Sequence, residues 1–272
     1  MRDTPEKQSD SAAPQFKPIL PGFRLDGRVA LVTGAGAGIG AAIASALAEA
    51  GAQVELVSLY RSELDPVASQ ITKAGGKVRA HECDVTNAEA VRRLISGLPR
   101  LDIVVNNAGT NIPEPFVDVT DEHLDFMCNL NVRATFVVSQ AAVKKMLEDP
   151  ARHERGGAVV NITSQMGHIG SPERTVYCMN KHAIEGLTKA MAVELAARGI
   201  RVNSVGPTFT DTPLVRKIVD TPEKREFLFS KIPMGRLAQV EDIAAAALFL
   251  ASPAAAMVTG HGLLVDGGWT AQ

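Results

Sequence analysis

Tyr177 and Lys181 stand four residues apart in "VYCMNK", residues 176–181, a spacing that stacks two side chains one turn apart on the same face of a helix. A free tyrosine hydroxyl titrates near a pKa of about 10, too high for a base at neutral pH, so using it for proton transfer requires a cation that stabilises the phenolate. Lys181 supplies that charge one helical turn away. The types and spacing therefore suit a general acid/base working at a substrate oxygen. Standing alone, the same two residues also suit a surface pair worth roughly a few tenths of a kcal/mol. The rest of the chain has to decide between these readings.

A second chemical feature lies in "TGAGAGIGAAIASALAEAGA", residues 33–52. Glycines 34, 36, 38 and 40, with Ile39 among them, let the backbone turn tightly and approach a pyrophosphate, which then sits at a helix N-terminus. The motif follows an apolar strand and precedes an Ala-rich helix, the context that such a turn requires.

The elements that position these residues alternate. β-branched runs at 28–33, 53–58, 77–82, 101–106, 157–163, 200–205 and 262–266 are separated by amphipathic segments near 39–50, 63–74, 87–97, 120–148, 174–198 and 239–251. This alternation predicts βαβ units and a parallel sheet. The expected fold class is α/β: a single domain over residues 24–272, with a parallel sheet covered by helices on both faces. Residues 206–238 form a long connection rich in Thr, Pro and charge. A connection of that length at the C-terminal end of a strand reads as a substrate lid.

Bulk properties narrow the class further. The chain has 272 residues, 46% hydrophobic and 21% charged, with a formal net charge of −2. That balance gives no field suited to nucleic acid, which is excluded as an expected partner. The most apolar window, 243–258, is too short to span a bilayer and is broken by Pro253, so no membrane association is expected. Cys83, Cys128 and Cys178 are far apart and have no partner at metal-ligand spacing; they read as reduced thiols of a cytoplasmic protein with no metal site. Residues 1–23 carry charges and prolines without an apolar targeting segment, and are expected to be a mobile or loosely docked extension.

The spacing Gly34-x-x-x-Gly38-x-Gly40, "NNAG" (106–109) and Tyr177-x-x-x-Lys181 resembles the short-chain dehydrogenase/reductase family. The resemblance extends through "CDVTN" (83–87), "NLNVRATF" (129–136), "NITS" (161–164), "RVNSVGPTFTDTP" (201–213) and "TGHGLLVDGGW" (259–269), in the family's order. It implies a doubly wound Rossmann fold with a seven-stranded parallel sheet in the order 3-2-1-4-5-6-7, and hydride transfer between a nicotinamide and an alcohol or ketone, with Tyr177 as proton donor and acceptor. It further implies that Lys181 supports Tyr177 and the nicotinamide ribose, and that Ser164 hydrogen-bonds the substrate oxygen. An Asn in the long helix holds a water that links the Lys to solvent. Asn129 and Asn131 both qualify, and the spacing to Phe136 selects Asn131.

The resemblance also assigns the cofactor surface. Asp84 and Val85 are expected at the adenine, Asn106, Asn107, Ala108 and Gly109 along the cofactor, and Pro207, Thr210 and Thr212 near the carboxamide. NAD or NADP is normally chosen at the end of the second strand, by an acid that pairs with the ribose 2′-hydroxyl or a base that pairs with a 2′-phosphate. Here that position is Ser58, the next is Leu59, and the turn carries Ala37 where many NADP enzymes are basic. Both signals are missing. Arg61 is the one residue placed to reach a 2′-phosphate, or else a solvated helix residue; the absence of a basic pair favours NAD.

Substrate is expected at Gln165, Met166, His168, Glu173, Arg174, Thr208, Phe209 and Thr210. Their polarity points to a sugar, sugar acid or polyol. A 3-oxoacyl-thioester reductase using NADPH is the alternative with the same motifs, and a non-catalytic dinucleotide sensor or scaffold is the alternative of another class. The family's usual assembly implies a homotetramer.

Overall fold

The apolar runs that end at Thr33, Ser58, Asn106 and Ile162 pair side by side in the computed structural model, which describes residues 18–212, 215 and 221–272. The strands are β1 (Val29–Thr33), β2 (Gln53–Ser58), β3 (Lys77–Glu82), β4 (Ile103–Asn106), β5 (Gly157–Ile162), β6 (Ile200–Pro207) and β7 (Gly262–Val265). They form one parallel sheet in the order β3-β2-β1-β4-β5-β6-β7, with Ala30 opposite Val54 on one side and Ile103 on the other. The order reverses between β1 and β4, so the crevice of the doubly wound sheet opens at their C-terminal ends.

The helices are α1 (Gly38–Glu49), α2 (Arg61–Lys73), α3 (Ala88–Ser96), α4 (Asp121–Cys128), α5 (Ala134–Leu147), the single turn α6 (Arg152–Arg155), α7 (Thr175–Leu195), α8 (Pro222–Lys231) and α9 (Val240–Ala251). Alternate residues of each central strand feed opposite faces of the sheet. Ala30 and Val32 pack with Ile43, Leu47, Ile243 and Ala247 beneath α1 and α9, whereas Val29 and Leu31 pack with Val91, Val138 and Met146 beneath α3 and α5. Being covered twice is why β1, β4 and β5 are buried along their whole length and mostly apolar. β3, at the sheet edge, alternates exposed and half-buried residues instead.

At the other end of the sheet, the buried Asp102 carboxylate accepts from the Val29 amide at 2.9 Å, and pairs with Arg100 at 2.8 Å and Arg152 at 3.1 Å. These contacts tie β1 to β4 at their N-terminal ends and leave the opposite ends open.

The segment 120–148, expected as one helix, is broken. Residues Asn129–Arg133 form a π-helical turn between α4 and α5, in which the Thr135 hydroxyl donates to the Asn131 carbonyl at 2.8 Å. Such a turn inserts one extra residue into the helix and re-aims the side chains within it.

Of the expected N-terminal extension, residues 1–17 lie outside the described residues. Leu20–Phe23 forms a 3₁₀ turn with the Phe23 ring 6.2 Å from that of Phe249 on α9. The expected lid lies partly outside the described residues as well. Its described portion includes a helix, α8, within the expected connection, and Met234 donates its amide to the carbonyl of Gly267 in the C-terminal segment.

Candidate active site

The C-terminal ends of β1, β4, β5 and β6 border a cleft of about 650 Å³. Each strand delivers a different part of it.

From β1 comes the glycine turn. A Cβ on Gly40 would lie 2.2 Å from the Gly34 carbonyl oxygen, so only glycine lets the start of α1 close against the end of β1. The residue before α1, Ala37, has no capping side chain, and the first turn of the helix holds no acid. The N–H groups of that turn therefore keep their donors for a ligand, and Ala37, Gly38, Ile39 and Gly40 line the cleft. A helix N-terminus with no capping side chain and no acid in its own first turn fits a pyrophosphate.

From β4 comes Asn107, whose side-chain amide donates to the carbonyls of Thr33 and Gly34 at 3.0 Å each and so locks the turn to the strand. Asn106, expected beside the cofactor, faces the other way: it is buried and donates to Ser139 and Asn161 at 2.8 Å. The strand pleat explains the correction, because consecutive side chains point to opposite faces. Ala108 and Gly109 continue along the cleft.

The catalytic candidates come from β5, the π turn and α7. Ser164 follows β5 and starts a 3₁₀ turn, its hydroxyl accepting from the Met166 amide at 3.1 Å. Tyr177 and Lys181 lie on α7 with the Lys181 ammonium 5.4 Å from the centre of the Tyr177 ring. That ammonium donates to the Ile162 carbonyl at 2.9 Å, which ties α7 to β5. Ser164, Tyr177 and Lys181 all line the cleft.

Asn131 sits in the π turn, gives its amide to the Thr110 carbonyl at 2.9 Å and accepts from the Thr110 amide at 2.8 Å. It thereby fixes the loop after β4 beside the other three. A Cβ on Gly109 would stand 2.9 Å from its oxygen.

Burial sets the proton affinities. It pushes the Tyr177 hydroxyl up to about 12, with a hydrogen bond from Ser164 acting in the opposite direction. It pushes the Lys181 ammonium down to about 8, and the carboxylate of Glu185 one turn along α7 acts against that shift. Each apolar wall thus disfavours the charged form of the residue it covers.

Several residues expected at cofactor or substrate lie outside the lining of this cleft. His168 does not reach the cleft; its ring lies 3.3 Å from Glu185 and against Gly262 of β7. The buried carboxylate, which also accepts from Thr163 and Ser204, holds the imidazole on the far side of β5. Arg61 is likewise turned away, with its guanidinium on Asp65 at 2.7 Å and on the Ala80 carbonyl at 2.7 Å. Leu59 is about half exposed. Asp84 accepts from the Thr86 amide and hydroxyl, closing a turn after β3, and Val85 packs into the core beneath α3.

Glu173 is an exposed residue with a left-handed backbone at φ 58°. Its neighbour Arg174 does face the cleft, as do Gln165, Met166, Pro207, Thr208, Phe209, Thr210 and Thr212. The Phe209 ring stacks 5.9 Å from Trp269, so the C-terminal segment props the pocket wall. The cleft also takes in Glu63, which none of the sequence motifs marks. An acid in the first turn of the helix after the second strand was the available signal.

Similarity to known proteins follows the same outline. A family model described as "Enoyl-(Acyl carrier protein) reductase" matches residues 34–270. D-threitol dehydrogenase of Mycolicibacterium smegmatis is 41% identical over 252 residues, covering 91% of this chain and 95% of that one. L-xylulose reductase of Mus musculus is 41% identical over 249 residues, covering 91% and 98%. Among solved structures, a gluconate 5-dehydrogenase from Burkholderia cenocepacia in complex with NADP and tartrate superposes with a TM-score of 0.87 at 34% identity. That superposition covers 93% of this chain and 99% of that one.

Proposed function

The chain belongs to the short-chain dehydrogenase/reductase family, and from that membership we propose that it moves a hydride between a nicotinamide dinucleotide and a secondary alcohol or ketone of a sugar, sugar acid or polyol. The observation that carries the reading is the convergence of Ser164, Tyr177 and Lys181 on the cleft that the glycine turn opens, with Asn131 bracing its edge. A sensor or scaffold has no need of that set.

When bound, the nicotinamide supplies or accepts the hydride. The chain's own residues handle the proton and the oxygen. Ser164 holds the substrate oxygen by hydrogen bond; the Tyr177 hydroxyl gives its proton to that oxygen in reduction and takes one in oxidation. The positive charge of Lys181 stabilises the phenolate left behind, and Asn131 keeps the loop after β4 in place, where a water connects the lysine to solvent.

The substrate class rests on buried polar groups that lack partners. Both polar atoms of the Gln165 side chain and the Thr208 hydroxyl are buried without a hydrogen bond, and both residues line the cleft beside Ser164. Leaving such groups unpaired costs about 1–3 kcal/mol each. A ligand rich in hydroxyls relieves that cost and an acyl chain does not. Arg174, half-buried and donating to the Glu173 carbonyl, is suited to a carboxylate such as that of a sugar acid. A second reading, reduction of a 3-oxoacyl thioester by NADPH, is supported by 38% identity over 251 residues to a 3-oxoacyl-(acyl-carrier-protein) reductase of Thermotoga maritima. A panel of polyols, sugars, sugar acids and 3-oxoacyl thioesters, assayed with NAD and NADP in parallel, separates the two. The highest kcat/KM is expected with a hydroxylated substrate and NAD; a higher value with the thioester overturns the substrate reading.

No helix among the described residues is long and apolar enough to cross a membrane. Cys83, Cys128 and Cys178 are free thiols, and we place the enzyme in the cytoplasm. The assembly that we propose is a homotetramer. Phe126 on α4, Phe136 on α5 and Val193 on α7 are exposed apolar side chains, with Val193 at 86%, on the helices expected to form subunit contacts. Light scattering should return about four times the chain mass of 28.8 kDa; a monomer mass at micromolar concentration contradicts the assembly.

A further inference from the structure

The second strand ends without the acid or the base that ordinarily distinguishes NAD from NADP, yet a carboxylate occupies that place. Glu63 lies in the first turn of α2, five residues beyond Ser58, and turns its side chain back over the strand end. The Ser58 hydroxyl donates to Glu63 Oε2 at 2.6 Å. A Cβ on Gly36, in the middle of the glycine turn, would stand 2.6 Å from the Glu63 Cβ and 3.0 Å from Oε2. Glu63 therefore lies directly against the phosphate-binding turn. It also lines the same cleft as Gly34, Gly38 and Gly40.

The neighbours of Glu63 along the chain bring no free cation to this corner. The nearest arginine along the chain, Arg61, is held by Asp65 at 2.7 Å and by the Ala80 carbonyl at 2.7 Å, while its amide donates to Glu82 at 2.8 Å. Ala37 and Leu59 bring no charge. The position of Glu63 in the first turn of α2 also suits an ionised carboxylate, because the positive end of the helix dipole lies there.

We propose that Glu63, hydrogen-bonded by Ser58, is the residue that selects NAD: its carboxylate accepts the ribose 2′-hydroxyl and repels a 2′-phosphate. The role belongs to the corner between β2, α2 and the glycine turn, where a doubly wound sheet places the ribose next to the pyrophosphate. The proposal rests on the reading of this chain as a dinucleotide-dependent dehydrogenase. The competing account is structural, with Glu63 doing no more than anchoring Ser58 and the start of α2.

Calorimetric titration of the purified enzyme with NAD and with NADP, without substrate, tests the proposal independently of turnover. Wild type is expected to bind NAD more tightly than NADP by about tenfold or more, as a like-charge contact at a recognition site requires. In Glu63→Gln, which keeps the size of the side chain and removes its charge, the NADP/NAD ratio of Kd should fall by about tenfold. The structural account predicts equal losses for both dinucleotides and an unchanged ratio, and that result overturns the proposal. So does tighter binding of NADP by wild type, a measurement that needs no variant to fold. Failure of folded wild type to bind either dinucleotide overturns the dehydrogenase reading itself, and the proposal with it.

Discussion

Tyr177→Phe should lower turnover by about 10²–10⁴-fold, the usual contribution of a positioned general acid/base, while the Kd for dinucleotide stays within about twofold, since the ring and its packing are retained. The hydroxyl lies in an apolar wall that pushes it up to about 12. Below that value it is a protonated phenol, ready to donate in the reductive direction. In the oxidative direction the phenolate must form, and it forms only if a positive charge stands close by. The variant keeps the face of α7 and the lysine beneath the ring, so what it loses is the transferable proton. Single-turnover rates in both directions, with dinucleotide titration of the same protein, check the split. Wild-type turnover by the variant removes Tyr177 from the mechanism.

Which parts were legible in the sequence follows from where their causes lie. β1, β4 and β5 are mostly apolar runs because helices cover both faces, and a run of that kind is visible in any short window. The strand order followed from the family resemblance, and the sheet has that order. The convergence of Ser164, Tyr177 and Lys181 on one cleft was legible for a different reason: Tyr177 and Lys181 depend on one helical turn, and Ser164 on its place just after β5. What the sequence did not disclose depends on contacts between distant segments. The break at Asn129–Arg133 is a local widening within an otherwise regular helical pattern. His168 was expected at substrate because it follows the catalytic strand, but a buried carboxylate on α7 captures it. Arg61 was the single base at the end of β2, and two neighbours occupy it. Glu63 looked like an ordinary first-turn acid until the fold brought Gly36 against it. In each case the chain supplied the chemistry, and the packing of non-adjacent segments decided its direction.

Lys181→Met should cost about 10²-fold or more in turnover, and it should also remove a feature of the pH profile. Burial holds the Lys181 ammonium down to about 8, below its value in an unfolded chain, so raising the pH through 8 discharges it in the folded enzyme. Below that pH the lysine is charged and supports the phenolate of Tyr177; above it the support fades. Wild-type oxidation should therefore climb from pH 6 as the tyrosine loses its proton more readily, then flatten or fall beyond about pH 8. The Met variant has no charge to lose and should show a low rate that rises steadily, with no break near 8. Lys181→Arg separates charge from shape. Its guanidinium stays protonated throughout this range, so whatever activity survives in the confined site should also lack the break. The ammonium now donates to the Ile162 carbonyl, and a loss of that tie would appear as a lower melting temperature in both variants alike. A difference between their pH profiles would then report the charge alone. If Lys181→Met keeps the wild-type break, some other group titrates there and the lysine is a structural tie between α7 and β5.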